Sequence, residues 1–261
     1  MTDGAAWRRP LAWARAELEA LHEELVDRER RRFDYRPALV FVVVAASLTL
    51  QQYYGERAYF RGLTFLPRSV LSGAYWELWT YAWWAGWRVF GFLVLPTIVV
   101  LLMPGERLRD YGWSLVGFKK HLPLYLGLYL VVLPAVILVS LRPEFRQTYP
   151  FYRLANRSTL DLWAWEGLYI AQFISLEFFF RGFMLQACKA TMGAYSIFPM
   201  IVPYCMIHFG KPILEVMAAI FAGIILGFVA LRTRSIWGGI IVHVGVALTM
   251  DLLALPHLPP P

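Results

Sequence analysis

The sequence predicts an all-α, polytopic membrane bundle of about seven transmembrane helices. Hydrophobic residues make up 59% of the 261 positions and charged residues only 16%. Mean hydropathy is +0.50, and apolar runs recur from Ala38 to Leu255 with no polar stretch long enough for a second folded unit. Soluble domains carry about a quarter charged residues, so water is not the main solvent of this chain.

The elements follow in chain order. Residues 1–36 read as a cytosolic, charged amphipathic helix: between Trp7 and Phe33, Leu18, Leu21 and Leu25 share one side, ringed by Glu17, Glu19, Glu23, Glu24, Asp27 and Glu29. Arg28, Arg30, Arg31, Arg32 and Arg36 precede the first apolar run. Under the positive-inside rule they hold the N-terminus in the cytosol, with the chain multi-pass in the plasma (inner) membrane. A span needs about 20 largely apolar residues, which places spans near 38–54, 89–103, 122–141, 160–188, 194–209, 212–231 and 236–255. The Trp-rich stretch Tyr75 to Trp87, with Glu77, reads as an interfacial or re-entrant helix whose aromatics suit the headgroup layer, or else as an eighth span. Residues 37–158 thus hold the N-terminal membrane helices and loops, and 159–256 a core that carries the polar motifs.

The loop with Arg107, Arg109, Lys119 and Lys120 and the turn with Arg232 and Arg234 fall inside, as the rule asks. Arg142, Arg146, Arg153 and Arg157 fall outside and argue the other way, but the N-terminal cluster is the densest. Pro259 to Pro261 then lie outside. The formal charge of +7 sits between apolar runs, where it sets topology and does not mark a nucleic-acid partner. Cys188 and Cys205 show neither metal-type spacing nor a disulfide framework, and the charged start does not read as a signal peptide. Gly223 and Gly227 form a small-xxx-small pair suited to close helix packing.

Ionisable groups at membrane depth are costly, so they are paired, face a cavity, or work. Four stand out: Glu177, Arg181, His208 and His243. Glu177 and Arg181 are four apart, on one helical face and within ion-pair reach, which suits a structural lock as well as a site. A lone intramembrane histidine is most often a hydrogen-bonded structural residue. Two of them beside a Glu/Arg pair are what activation of a water requires.

These residues, in this order, resemble the CPBP family (CAAX protease and bacteriocin-processing enzymes, also called Abi), intramembrane endopeptidases of the glutamic type. The family pattern is Glu-Glu-x-x-x-Arg, then Phe-x-x-x-His, then His-x-x-x-Asn. Here Glu177-x-x-x-Arg181-Gly182 matches the second Glu, the Arg and the usual Gly; Tyr204-x-x-x-His208 matches the second motif with Tyr for Phe; and His243 matches the third. The resemblance spans about Leu160 to Leu255. It implies a metal-independent protease in which Glu177 and His208 activate water, Arg181 orients the carboxylate and His243 stabilises the tetrahedral intermediate. A membrane-associated peptide or protein is then the substrate, the lipid bilayer the surroundings, and no cofactor is needed.

Two positions depart from the pattern. Leu176 stands where the first Glu belongs, and a neighbouring helical position points about 100° away. Ala247 replaces the Asn that would donate to an oxyanion. Gln172 and Gln186 are the nearest chemical substitutes for that Asn in spans, since Asn156 lies in a loop. Glu166 lies some 16 Å along the axis from Glu177, too far to share a water, and Glu215 depends on how the bundle folds. A non-catalytic family member that binds or chaperones a membrane partner is the alternative function. A transporter has no half-helix pair or repeat behind it, and a zinc site from two His and one Glu lacks a His-Glu-x-x-His spacing.

Overall fold

The computed structural model describes residues 8–26, 34–63, 67, 70 and 72–259. Arg28, Arg30, Arg31 and Arg32, together with Pro260 and Pro261, lie outside the described residues. The described chain is helical, with α1 Arg8–Leu25, α2 Arg36–Tyr54, α3 Arg57–Arg61, α4 Trp76–Val89, α5 Leu95–Leu102, α6 Phe118–Ser140, α7 Pro143–Thr148, α8 Thr159–Glu177, α9 Leu185–Met192, α10 Ile197–Met206, α11 Ile213–Thr233 and α12 Trp237–Ala254. It is an all-α membrane bundle with no strand among the described residues.

Among the described residues six helical runs are long and apolar enough to cross a membrane: Arg36–Tyr54, Trp76–Leu102, Phe118–Ser140, Thr159–Met206, Ile213–Thr233 and Trp237–His257. The runs differ from the expected segments in two places, of which the second brings the expected seven to six. The Trp-rich stretch is no separate interfacial helix, because α4 runs through a π-helical turn, Phe90–Val94, into α5. Pro96, which has no N–H to give, falls just after that wider turn, so the chain absorbs it without stopping. The expected spans 160–188 and 194–209 belong to the single run Thr159–Met206. After α8, a π-helical segment Phe178–Met184 and α9, that run breaks at Gly193, whose φ is +55°.

Beyond the break the run folds back. Arg181 and Tyr204 would be about 35 Å apart along one straight helix, yet the Arg181 guanidinium lies 4.0 Å from the centre of the Tyr204 ring. The returning helix α10 has only 10 residues, about 15 Å of rise against about 30 Å of hydrocarbon. It stops at mid-bundle depth because Gly210, at φ +89°, and Pro212 turn the chain into α11. Histidine 208 is carried on that turn.

Glycines set the close approaches. A Cβ on Gly223 would sit 3.2 Å from the Tyr204 ring and one on Gly227 3.1 Å from Met200, so this pair lets α10 press against α11. Helix α6 exposes almost all of its surface and touches the bundle through α12, with the Tyr129 hydroxyl 2.7 Å from Thr249 Oγ1 and Tyr125 laid against Gly238. Around the break, Phe178, Phe179, Phe180 and Phe183 are wholly buried and form the centre of the core with Phe92, Tyr204 and Ile236.

The two ends of the bundle differ. At one end α1 covers the Gly193 break, where a Cβ would meet His22 Nδ1 at 2.5 Å, and Glu24 pairs with Arg232 and Arg234 at 3.2 and 3.3 Å. At the other, Asn156 Nδ2 donates to the Pro259 carbonyl at 2.8 Å, and Ser158 caps α8 by accepting from the Asp161 N–H. Reporter domains fused to the two chain ends are therefore expected on opposite sides of the membrane. Same-side signals from both fusions would refute the reversal at Gly193.

Candidate functional site

Glu177 is the last residue of α8 and Arg181 lies in the π-helical segment that follows, both fully buried. Arg181 Nη1 donates to Glu177 Oε1 at 3.1 Å, and His243 Nδ1, from the middle of α12, lies 2.5 Å from the same oxygen. The other carboxylate oxygen faces Gly239, where a Cβ would stand 1.9 Å away. Only glycine leaves room for the acid there. The Arg181 guanidinium rests on the face of Tyr204, a cation–π contact in a desolvated setting.

From Tyr204 the contacts continue to both histidines. Its hydroxyl is 2.9 Å from His243 Nε2, and its main-chain carbonyl lies 2.8 Å from His208 Nδ1. The proton positions follow from partner chemistry. A carbonyl only accepts, so His208 Nδ1 carries hydrogen and its Nε2 is left as the free lone pair of the neutral ring. The single negative charge of Glu177 is already balanced by Arg181, so a neutral His243 keeps the buried cluster uncharged overall. Its Nδ1–H then donates to Glu177 and its Nε2 accepts from the Tyr204 hydroxyl.

Tyr204, His208 and His243 line a cavity of about 400 Å³ between α6, α8, α11 and α12. Its walls are mostly apolar, with Val132, Ala135, Ala218 and Ala222 among them. At its polar edge Lys211 Nζ donates to Glu215 at 2.7 Å and the Tyr149 hydroxyl donates to the same carboxylate at 2.8 and 2.7 Å. Burial first, then neighbouring Tyr169 and Glu215, push the Tyr149 phenol well above its ordinary range, so it stays a donor at neutral pH. His208 and Lys211 also line a smaller cavity of about 110 Å³ with Gln172, Arg88 and Leu176.

Of the four residues singled out in the sequence, Glu177 touches both Arg181 and His243, whereas His208 is joined to them through Tyr204. Glu177 does not line the cavity; His243 and Tyr204 stand between it and the open space. Ala247 lines the larger cavity and Leu176 the smaller, each without a polar group to offer. Glu166 lines neither, while Glu215 does reach the larger one. Gln186 is spent on the carbonyls of Arg181 and Ala230. Tyr204 carried no role in the sequence beyond substituting for Phe, and its hydroxyl contact is visible only when α10 is seen against α12. Among the described residues no three His, Cys, Asp or Glu side chains come together as a metal-ligand group.

Residues 158–249 match the family model described as type II CAAX prenyl endopeptidase Rce1-like. The matched stretch runs from the cap of α8 into α12 and contains Glu177, Arg181, Tyr204, His208 and His243. Over that part the chain is similar to the CAAX-protease clan. Neither the curated proteins nor the solved structures contain a match to this chain.

Arg181→Ala would strand the Glu177 charge in the core and is expected to cost about 3–5 kcal/mol, seen as lost folded yield in detergent. Adding Glu177→Leu should recover part of it, and equal loss in the single and double variants would argue against a direct pair. Gly239→Ala tests the same carboxylate from the other side. Helix propensity alone would make this change stabilising by about 1 kcal/mol, but the clash with Glu177 predicts a loss of about 1–3 kcal/mol in thermal denaturation.

Proposed function

We propose that this chain is an intramembrane endopeptidase of the CPBP type that hydrolyses a peptide bond in a membrane-associated peptide or protein. The observation that carries the reading is that His243, Tyr204 and His208 line an apolar cavity and are joined by hydrogen bonds to one another and, through His243, to the buried Glu177. The similarity of residues 158–249 to Rce1-like endopeptidases supports the same reaction class.

In this reading an apolar substrate segment lies in the cavity with its scissile carbonyl near His208. The free Nε2 of His208 accepts a hydrogen bond from a water and aims it at that carbonyl. Glu177 acts from behind His243 as the carboxylate that makes this imidazole the base, while Arg181 holds the carboxylate in its orientation and keeps the cluster neutral. His243, next to the cavity, is the group on which positive charge develops as the intermediate forms, and the carboxylate beside it stabilises that charge. No step calls for a metal.

A second reading is favoured by Leu176 and Ala247, which give the two cavities apolar surface where the family motifs carry a carboxylate and an amide. It is a non-catalytic member that keeps the fold and holds a membrane partner. The two are separated by cleavage of a membrane-embedded reporter peptide by purified protein in the presence of a chelator. Glu177→Gln and His208→Ala should each lower turnover by about 10²-fold or more while the protein stays folded, the usual size of an acid–base contribution. Absence of cleavage by the wild type, with normal cellular effect in the Glu177→Gln, His208→Ala double variant, would establish the non-catalytic reading instead.

A further inference from the structure

The endopeptidase reading leaves a mechanical difficulty: Glu177 is fully buried and does not line the cavity, and His243, which does line it, has its Nε2 taken by the Tyr204 hydroxyl. We infer that the Tyr204 hydroxyl is a catalytic residue, the atom through which Glu177 and His243 exchange a proton with water in the cavity. This inference rests on the endopeptidase reading and adds to it a hydroxyl that bonds the buried pair from a residue lining the cavity.

The geometry is that of a hydroxyl, an imidazole and a carboxylate in series, at 2.9 and 2.5 Å. With Nδ1–H donated to Glu177, His243 Nε2 is an acceptor, and the Tyr204 proton points at it. The phenol oxygen then has lone-pair capacity for a donor in the cavity as well as for the Arg181 guanidinium. The cation of Arg181, 4.0 Å from the ring, favours any negative charge the phenol oxygen acquires in passing. His208 stands beside it, since the Tyr204 carbonyl holds its Nδ1 and its ring packs edge-on against the Tyr204 ring at 4.9 Å. One water can therefore give one hydrogen to His208 Nε2, which orients it, and the other to Tyr204.

The steps balance. The water O–H proton moves to the Tyr204 oxygen as the Tyr204 proton moves to His243 Nε2, leaving an imidazolium between carboxylate and phenol. The water oxygen forms a bond to the peptide carbonyl carbon, and the carbonyl π pair goes to oxygen. On collapse the C–N bond breaks with its electrons on nitrogen. That nitrogen takes a proton from Tyr204, which recovers one from His243, and a carboxylic acid and an amine leave. No outside oxidant, reductant or co-reactant is needed.

The test is Tyr204→Phe in the full chain, which removes the hydroxyl and keeps the ring under Arg181 and the carbonyl on His208. Turnover should fall by about 10²–10³-fold with KM little changed, the range for loss of an acid–base group, and the melting temperature should stay near that of the wild type. A second readout is independent of cleavage. In ¹⁵N-histidine-labelled protein, the His243 Nε2 signal should shift from a hydrogen-bonded to a free imine nitrogen in Tyr204→Phe, while the Nδ1–H signal persists. Wild-type cleavage with undiminished turnover in Tyr204→Phe would overturn the inference and leave the endopeptidase reading intact. An unmoved Nε2 signal would overturn it even if no substrate is ever cleaved.

Discussion

A carboxylate buried in a protein interior must be answered by the protein, and in this bundle the answer organises the core. Glu177 receives a guanidinium from its own helix, an imidazole from α12 and the bare backbone of Gly239. Taking one of these away leaves a charge in a low-dielectric interior, where its partner cannot fall back on solvent. The requirement fixes three things together: the π-helical segment that carries Arg181, the depth at which α12 presents His243, and the rotation of α12 that turns Gly238 to Tyr125 and Gly239 to Glu177.

The short α10 is the second consequence. Because the chain reverses at Gly193 and turns again after only 10 residues, Tyr204 and His208 arrive at the level of the buried pair and not at a membrane surface. Gly223 and Gly227 admit α11 close enough to back α10, so the Tyr204 ring is clamped between Arg181 and α11. The turn that ends this half-length helix lines the cavity through His208 and Lys211, a setting in which irregular chain is stable within a bilayer.

The match of residues 158–249 covers the part of the chain that builds this arrangement, and α1 to α7 lie before it. Those earlier helices supply the cavity's far wall, through Val132 and Ala135 of α6, and Tyr149 at its polar edge. The substrate surface in the proposed reaction is therefore shared between a stretch with family resemblance and one without it.

Composition and apolar run length were enough to read an all-α membrane bundle from the sequence, because hydrocarbon thickness imposes a length that any spanning helix must meet. The i, i+4 spacing likewise put Glu177 and Arg181 on one face, since that relation is local to a helix. The count of seven spans was not legible. A proline or glycine marks a break without telling whether the helix bends through a π turn, as at Pro96, or reverses, as at Gly193. Nor could spacing tell that Glu177 would meet His243 and miss His208, or that Tyr204 would join the two histidines, one through its hydroxyl and the other through its carbonyl. Periodicity within each helix fixes which residues share its face. Which face meets which is decided by packing between helices far apart in sequence, and here that packing turned on two glycines, Gly239 and Gly193, each of which admits a neighbour that a side chain would exclude.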